Sequence, residues 1–179
     1  MQKISTKKMV QISLLIALEI ALTRFCSITT PIVRIGFGFI PVAITGMLYG
    51  PIWAGVAAAT GDFLGAILFP TGAFFPGFTL TAFLTGVTYG LFLHNEKRSW
   101  GRIALAVGIV SLLLNLGLDT LWLYMITGKG YLALLPTRIV KCLIMSPVQI
   151  VALHLLSLRV NMFFGVRQAP EKTSIKEEL

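Results

Sequence analysis

Apolar residues run through this chain in long blocks, and most polar residues are confined to the short stretches between them. Six such blocks are evident: Met9 to Phe25, Ile35 to Tyr49, Ile52 to Leu68, Phe78 to Leu93, Ile103 to Thr127 and Pro136 to Ser157. Each approaches the roughly 20 residues that an α-helix needs to cross a bilayer. Their boundaries carry helix breakers: Gly50-Pro51 forms a very tight turn, Phe69 to Gly77 holds two prolines and two glycines, and Gly128-Lys129-Gly130 closes the fifth block. Pro136 suits the first position of the sixth helix, while Pro41 and Pro147 are tolerable kinks inside membrane helices. Lys3, Lys7 and Lys8 before the first block resemble the start of a signal peptide, but Glu19 and Arg24 interrupt the apolar stretch and no small-x-small site follows. The pattern predicts an all-α membrane protein. Its six transmembrane helices form a compact bundle within one domain over residues 1–160, followed by a short polar tail over 161–179.

Composition narrows this further. With 179 residues, 56% hydrophobic and 12% charged, and a mean hydropathy of +0.85, the chain is far more apolar than a soluble domain, which carries about 25% charged residues. Six spans use about 120 residues, so no built-in ATPase, kinase or soluble receptor domain fits. The net charge of +8 would suit nucleic acid in a soluble protein, but its distribution indicates orientation. With both termini cytoplasmic, Lys3, Lys7, Lys8, Lys97, Arg98, Arg102, Arg159, Arg167, Lys172 and Lys176 all lie inside, ten of fifteen bases. The opposite orientation contradicts the positive-inside tendency. The plasma membrane and its lipid are the expected surroundings, with no nucleic-acid partner. Cys26 and Cys142 have no disulfide or zinc spacing and read as packing residues.

Topology leaves Glu19, Asp62 and Asp119 and the bases Arg24, Arg138 and Lys141 inside predicted spans, where an ionised group costs about 2.5–3.5 kcal/mol. Measured along the helices, most of them converge on the outer half of the membrane. Mutual neutralisation, Asp119 with Arg138 and Glu19 with Lys141, is one account; an outward-opening pocket for a polar ligand is the other. With Arg34 and Lys129 included, five bases against three acids favour a ligand of negative charge. Asn115, one turn below Asp119 on the same face, adds hydrogen-bonding capacity. Phe37 and Phe39 at the start of the second span, Phe69, Phe74, Phe75 and Phe78 around the third loop, and Trp122, Tyr124 and Tyr131 lie at the same level. An interfacial aromatic belt explains Trp122 and Tyr124. The Phe-rich loop is instead expected to fold back as a re-entrant wall suited to a flat heteroaromatic ligand.

Small residues recur four apart at Ala17 and Ala21 and again at Ala57, Gly61 and Gly65, a spacing that lets helices approach closely in lipid. Packing inside the bundle and docking of another membrane subunit both account for it. Nothing in the sequence supplies catalytic or energising machinery: there is no nucleotide loop ending in GK[ST], no HExxH and no nucleophile elbow. No metal site or catalytic residue is assigned. His94 and His154 map to the cytoplasmic side, away from the polar cluster.

Taken together, Ala17 to Arg24, the stretch Arg34-Ile35-Gly36-Phe37-Gly38-Phe39-Ile40-Pro41 through Gly50-Pro51, and Gly61-Asp62-Phe63-Leu64-Gly65-Ala66 with Phe69-Pro70-Thr71-Gly72 and Phe75-Pro76-Gly77-Phe78-Thr79 resemble the substrate-binding S component of energy-coupling factor (ECF) vitamin transporters, most closely the folate-specific kind. The resemblance covers about Lys8 to Leu158. It implies a six-helix receptor that binds folate as transported substrate, without a cofactor. Transport would use a module of one transmembrane coupling protein and two ATPases, with Ala17 and Ala21 docking the coupling protein. Asp62 is the candidate acceptor for the pterin N–H and NH2 groups, with Gly61 and Gly65 leaving room beside it. Arg24, Arg34, Arg138 and Lys141 are candidates for the glutamyl carboxylates, and Phe37, Phe39, Phe74, Phe75 and Trp122 for ring stacking. Asn115 and Asp119 complete the polar wall. Other readings remain open on the residues alone: another vitamin such as riboflavin or a thiamine precursor, a small intramembrane enzyme using Asp62 and Asp119, or a structural membrane subunit.

Overall fold

A computed structural model describes residues 6–29, 34–70, 74–94, 99–128 and 131–164. Among the described residues six helices follow one another: α1 (Thr6–Arg24), α2 (Phe39–Tyr49), α3 (Pro51–Leu68), α4 (Pro76–Leu93), α5 (Trp100–Thr127) and α6 (Tyr131–Phe164). The last four are long and apolar enough to cross a bilayer. α1 carries more charge, and α2 has only 11 residues, about 16 Å of helix.

Three boundaries differ from the sequence expectation. Ile35 does not belong to α2; it pairs with Ile28 in a two-stranded antiparallel hairpin, β1 (Ser27–Thr29) with β2 (Arg34–Gly36). The apolar run Ile35 to Tyr49 thus contains a strand end, a turn at Phe37-Gly38 and a short helix. Pro136 is not the start of α6, which begins at Tyr131 and holds both Pro136 and Pro147 inside it. α6 also passes residue 160 and ends at Phe164; the polar tail beyond it lies outside the described residues. The Phe-rich loop is described except for residues 71–73, so its re-entrant course lies partly outside what is described.

Elsewhere the punctuation acts as its chemistry dictates. Pro51 and Pro76 stand at the N-termini of α3 and α4, where a missing N–H costs nothing. Gly50 alone separates α2 from α3 with φ of 88°, a left-handed backbone open to glycine. Within α5 the stretch Val110–Leu118 is a π-helix, a wider turn with one extra residue that commonly occurs at functional positions.

The packed core lies in the cytoplasmic half. Ala43, Met47, Tyr89, Leu93, Ile103, Ala106, Val107 and Leu153 are buried there. Glycines let α2, α3 and α4 close on one another: a methyl on Gly86 would run into the Ala54 carbonyl, and one on Gly90 into Pro51. Leu14, Leu112, Leu113, Leu143 and Leu155 point outward and are exposed, as lipid-facing side chains are in a membrane bundle. Where the inner half has this core, the outer half encloses a cavity.

Candidate functional site

The cavity has a volume of about 790 Å³ and is walled by residues of all six helices, together with Ser27, Gly36 and Gly38 of the hairpin region. Of the candidates read from the sequence, Arg24, Phe39, Asp62, Phe74, Phe75, Asn115, Asp119, Arg138 and Lys141 line it. Three do not appear in the lining. Phe37 is 47% exposed and meets Phe39 with ring centroids 6.3 Å apart; as a turn residue it points away. Trp122 stands behind the wall, its indole N–H donating to Thr81 Oγ1 at 3.1 Å and its ring 5.5 Å from that of Phe75. It holds lining residues in place. Arg34 opens β2, and its side chain lies outside the described residues.

On the α1–α3 side, Asp62 Oδ2 accepts a hydrogen bond from Thr79 Oγ1 at 3.0 Å, and Arg24 Nη2 donates to the Asp62 backbone carbonyl at 3.4 Å. The space beside Asp62 is not left open by Gly61 and Gly65 as the sequence suggested. A Cβ on Gly61 would stand 2.5 Å from Glu19 Oε2, and one on Gly65 would stand 2.9 Å from Arg24 Nε. The two glycines are seats for α1 side chains, which cross them to reach the cavity. Glu19, only 8% exposed, is therefore a wall residue beside Asp62.

The opposite wall is built on the π-helical segment. Asn115 Nδ2 donates to the Val110 carbonyl at 3.1 Å, while the Asn115 carbonyl accepts from Arg138 Nη1 at 3.0 Å. The same guanidinium nitrogen lies 3.9 Å from Asp119 Oδ2. Cys142 donates its S–H to the Ser111 carbonyl at 3.4 Å, and Ser146 Oγ donates to Ser111 Oγ at 3.1 Å. The widened turn exposes carbonyls that α6 side chains satisfy, which fixes α5 against α6.

Three acids and three bases line the cavity: Glu19, Asp62 and Asp119 with Arg24, Arg138 and Lys141. Formal charge in the lining balances, so the anionic preference expected from the outer bases does not come from these residues. That excess resides in Arg34 and Lys129, whose side chains lie outside the described residues. Below the charged level the wall turns neutral, with Thr85, Tyr89, Ser111 and Gln149. These gave no signal in the sequence, because uncharged polar residues are unremarkable within apolar blocks. Among the described residues no three His, Cys, Asp or Glu side chains gather as a metal site.

A bundle of membrane helices with a ligand-sized cavity in its outer half and a packed inner half is a membrane-embedded receptor. The chain belongs to the substrate-specific components of ECF transporters, whose family model matches residues 7–157. It is 52% identical over 146 residues to the folate transporter FolT of Clostridium novyi (strain NT), covering 82% of this chain and 85% of that one. It is 36% identical over 154 residues to the FolT of Leuconostoc mesenteroides subsp. mesenteroides, with 83% of each covered. Among solved structures it resembles a crystal structure of FolT bound with folic acid, with a TM-score of 0.84 and 38% identity over 87% of this chain and 95% of that one.

Proposed function

We propose that this protein is the folate-binding S component of an ECF-type importer in a bacterial cell membrane, where it captures folate from outside. The observation that carries this is the 790 Å³ cavity, set in a fold that matches a FolT bound with folic acid at a TM-score of 0.84. Folate is its transported substrate, and no cofactor is required for binding.

The wall chemistry suits the parts of such a ligand. Phe39, Phe74 and Phe75 offer ring faces and edges to flat rings, worth about 0.5–1.5 kcal/mol per well-placed pair. Asp62 has one carboxylate oxygen engaged by Thr79 and the other to offer, and the adjacent N–H and NH2 donors of a pterin are its complement. Arg24 and Lys141 are the bases for the glutamyl carboxylates, Arg24 with a fork that fits them. Asn115, Asp119 and Arg138 form a braced wall that holds its shape as the ligand enters.

Energy comes from elsewhere. A coupling protein of the membrane docks on α1 at Ala17 and Ala21, and two partner ATPases hydrolyse ATP. Ser13 and Ala17 are exposed and Ala21 is half-buried, a smooth stripe along one face of α1 against which another helix can pack closely. The S component rotates bodily within the membrane to release its vitamin inside.

The test is direct binding. Protein purified in detergent is expected to bind folic acid tightly, without turnover, and to retain it in the absence of ATP. Folded protein that binds neither oxidised nor reduced folate would overturn the proposal.

A further inference from the structure

The inner end of the cavity, below every charged side chain in its wall, carries two buried polar atoms with no partner among the described residues. They are the Tyr89 hydroxyl and Gln149 Oε1. Tyr89 is 0% exposed and Gln149 9%, and both belong to the cavity lining. Leaving such a group unsatisfied costs about 1–3 kcal/mol, so a pair of them at one end of a ligand cavity calls for an explanation. The side chains of helices running inward lean back towards the outer side, which for Tyr89 on α4 and Gln149 on α6 is the side of the cavity; both polar atoms are covered while the cavity is empty, so a ligand meets them when a neighbouring side chain gives way.

We infer that Tyr89 and Gln149 form an inner, uncharged subsite that hydrogen-bonds the edge of the ligand's heteroaromatic ring, and that they help to set specificity for that ring. The inference rests on the folate reading above and deepens it. A hydroxyl and a carboxamide together supply donors and acceptors at neutral cost, which matches a ring edge of carbonyl oxygen and ring nitrogens. They offer nothing to a carboxylate that the bases above do not offer better. The ring therefore enters first, meeting Asp62 from α3 at its side and the floor at its inner edge, while the carboxylates stay at the level of Arg24 and Lys141. Met145, buried and one turn outward of Gln149 on the same face of α6, is the adaptable side chain that yields as the ring reaches the floor.

The experiment measures calorimetric binding of folic acid and of pteroic acid, which lacks the glutamate, to the full-length protein in detergent. Tyr89→Phe and Gln149→Leu are compared with wild type. Each variant is expected to lose about tenfold in affinity, by the same factor for both ligands. The thermal midpoint of Tyr89→Phe without ligand should equal or exceed that of wild type, because an unsatisfied hydroxyl has been removed. Unchanged affinity in both variants overturns the inference, as does a loss seen with folic acid alone, which would place the glutamate at the floor. Wild-type protein that binds neither ligand overturns the folate reading itself, and the subsite assignment with it.

Discussion

Two stripes of small residues at identical spacing have opposite fates in this protein. On α3, Ala57, Gly61 and Gly65 are buried, and the two glycines are covered by Glu19 and Arg24 of α1. On α1, Ser13 and Ala17 face outward and are exposed among the described residues. Spacing permits close approach in both cases. What decides the outcome is whether the neighbouring helix supplies a side chain that needs the space. α1 therefore has two faces with separate tasks: Glu19 and Arg24 point to the cavity, while Ala17, two residues from Glu19, faces the surroundings.

The sharpest way to break this contrast is to place bulk on each stripe. Gly61→Leu is expected to push Glu19 out of its seat and separate α1 from α3. Overpacking of this kind costs about 1–3 kcal/mol, enough for a large drop in thermal midpoint in detergent and loss of folic acid binding. A variant that melts and binds as wild type would show that α3's stripe is not a packing seat. Ala17→Trp is the mirror experiment. Binding of folic acid should stay within about twofold of wild type, since the face is exposed. Folic acid uptake by cells that also carry the coupling module should fall by an order of magnitude or more. Equal loss of binding and uptake would assign Ala17 to the fold instead.

Smaller changes test the wall itself. Gly65→Ala brings a methyl against Arg24, whose flexible end can move aside; affinity for folic acid should fall about three- to tenfold with the melting temperature little altered. Thr79→Val removes the hydroxyl that holds Asp62 at 3.0 Å. That should cost about 1 kcal/mol of binding, read as roughly a fivefold weaker dissociation constant by titration calorimetry. An unchanged constant would mean that Asp62 is positioned by its backbone alone.

Much of this arrangement was legible from sequence because membrane insertion makes ionised residues conspicuous. Asp62, Asp119, Arg24, Arg138 and Lys141 stood out against apolar blocks, and the structure brings all five to one cavity. Helix ends at Gly50, Pro51 and Pro76 were equally plain, since the backbone chemistry of glycine and proline acts locally. Ile35 reads as the start of a helix in sequence and is a strand residue in the structure, because a strand end followed by a turn and a helix makes one unbroken apolar run. Pro136 misled because a proline inside a membrane helix and one at its start leave the same trace in sequence. Trp122 and Phe37 are not in the cavity lining, because the direction of a ring about its helix or turn leaves no trace in sequence. Tyr89 and Gln149 were invisible, being uncharged, and only burial without a partner reveals them.

The concentration of core packing in the cytoplasmic half has a mechanical consequence. There, interdigitated side chains keep the helices together whatever the cavity contains. In the outer half the helices are held apart around a space of 790 Å³, bridged by polar contacts and ring edges. A ligand that fills this space supplies the apolar contact that the chain itself omits, becoming a structural part of its own carrier while it is aboard. Loaded protein should therefore be stiffer at its outer end than at any other time in its cycle, and giving up the cargo should loosen that end.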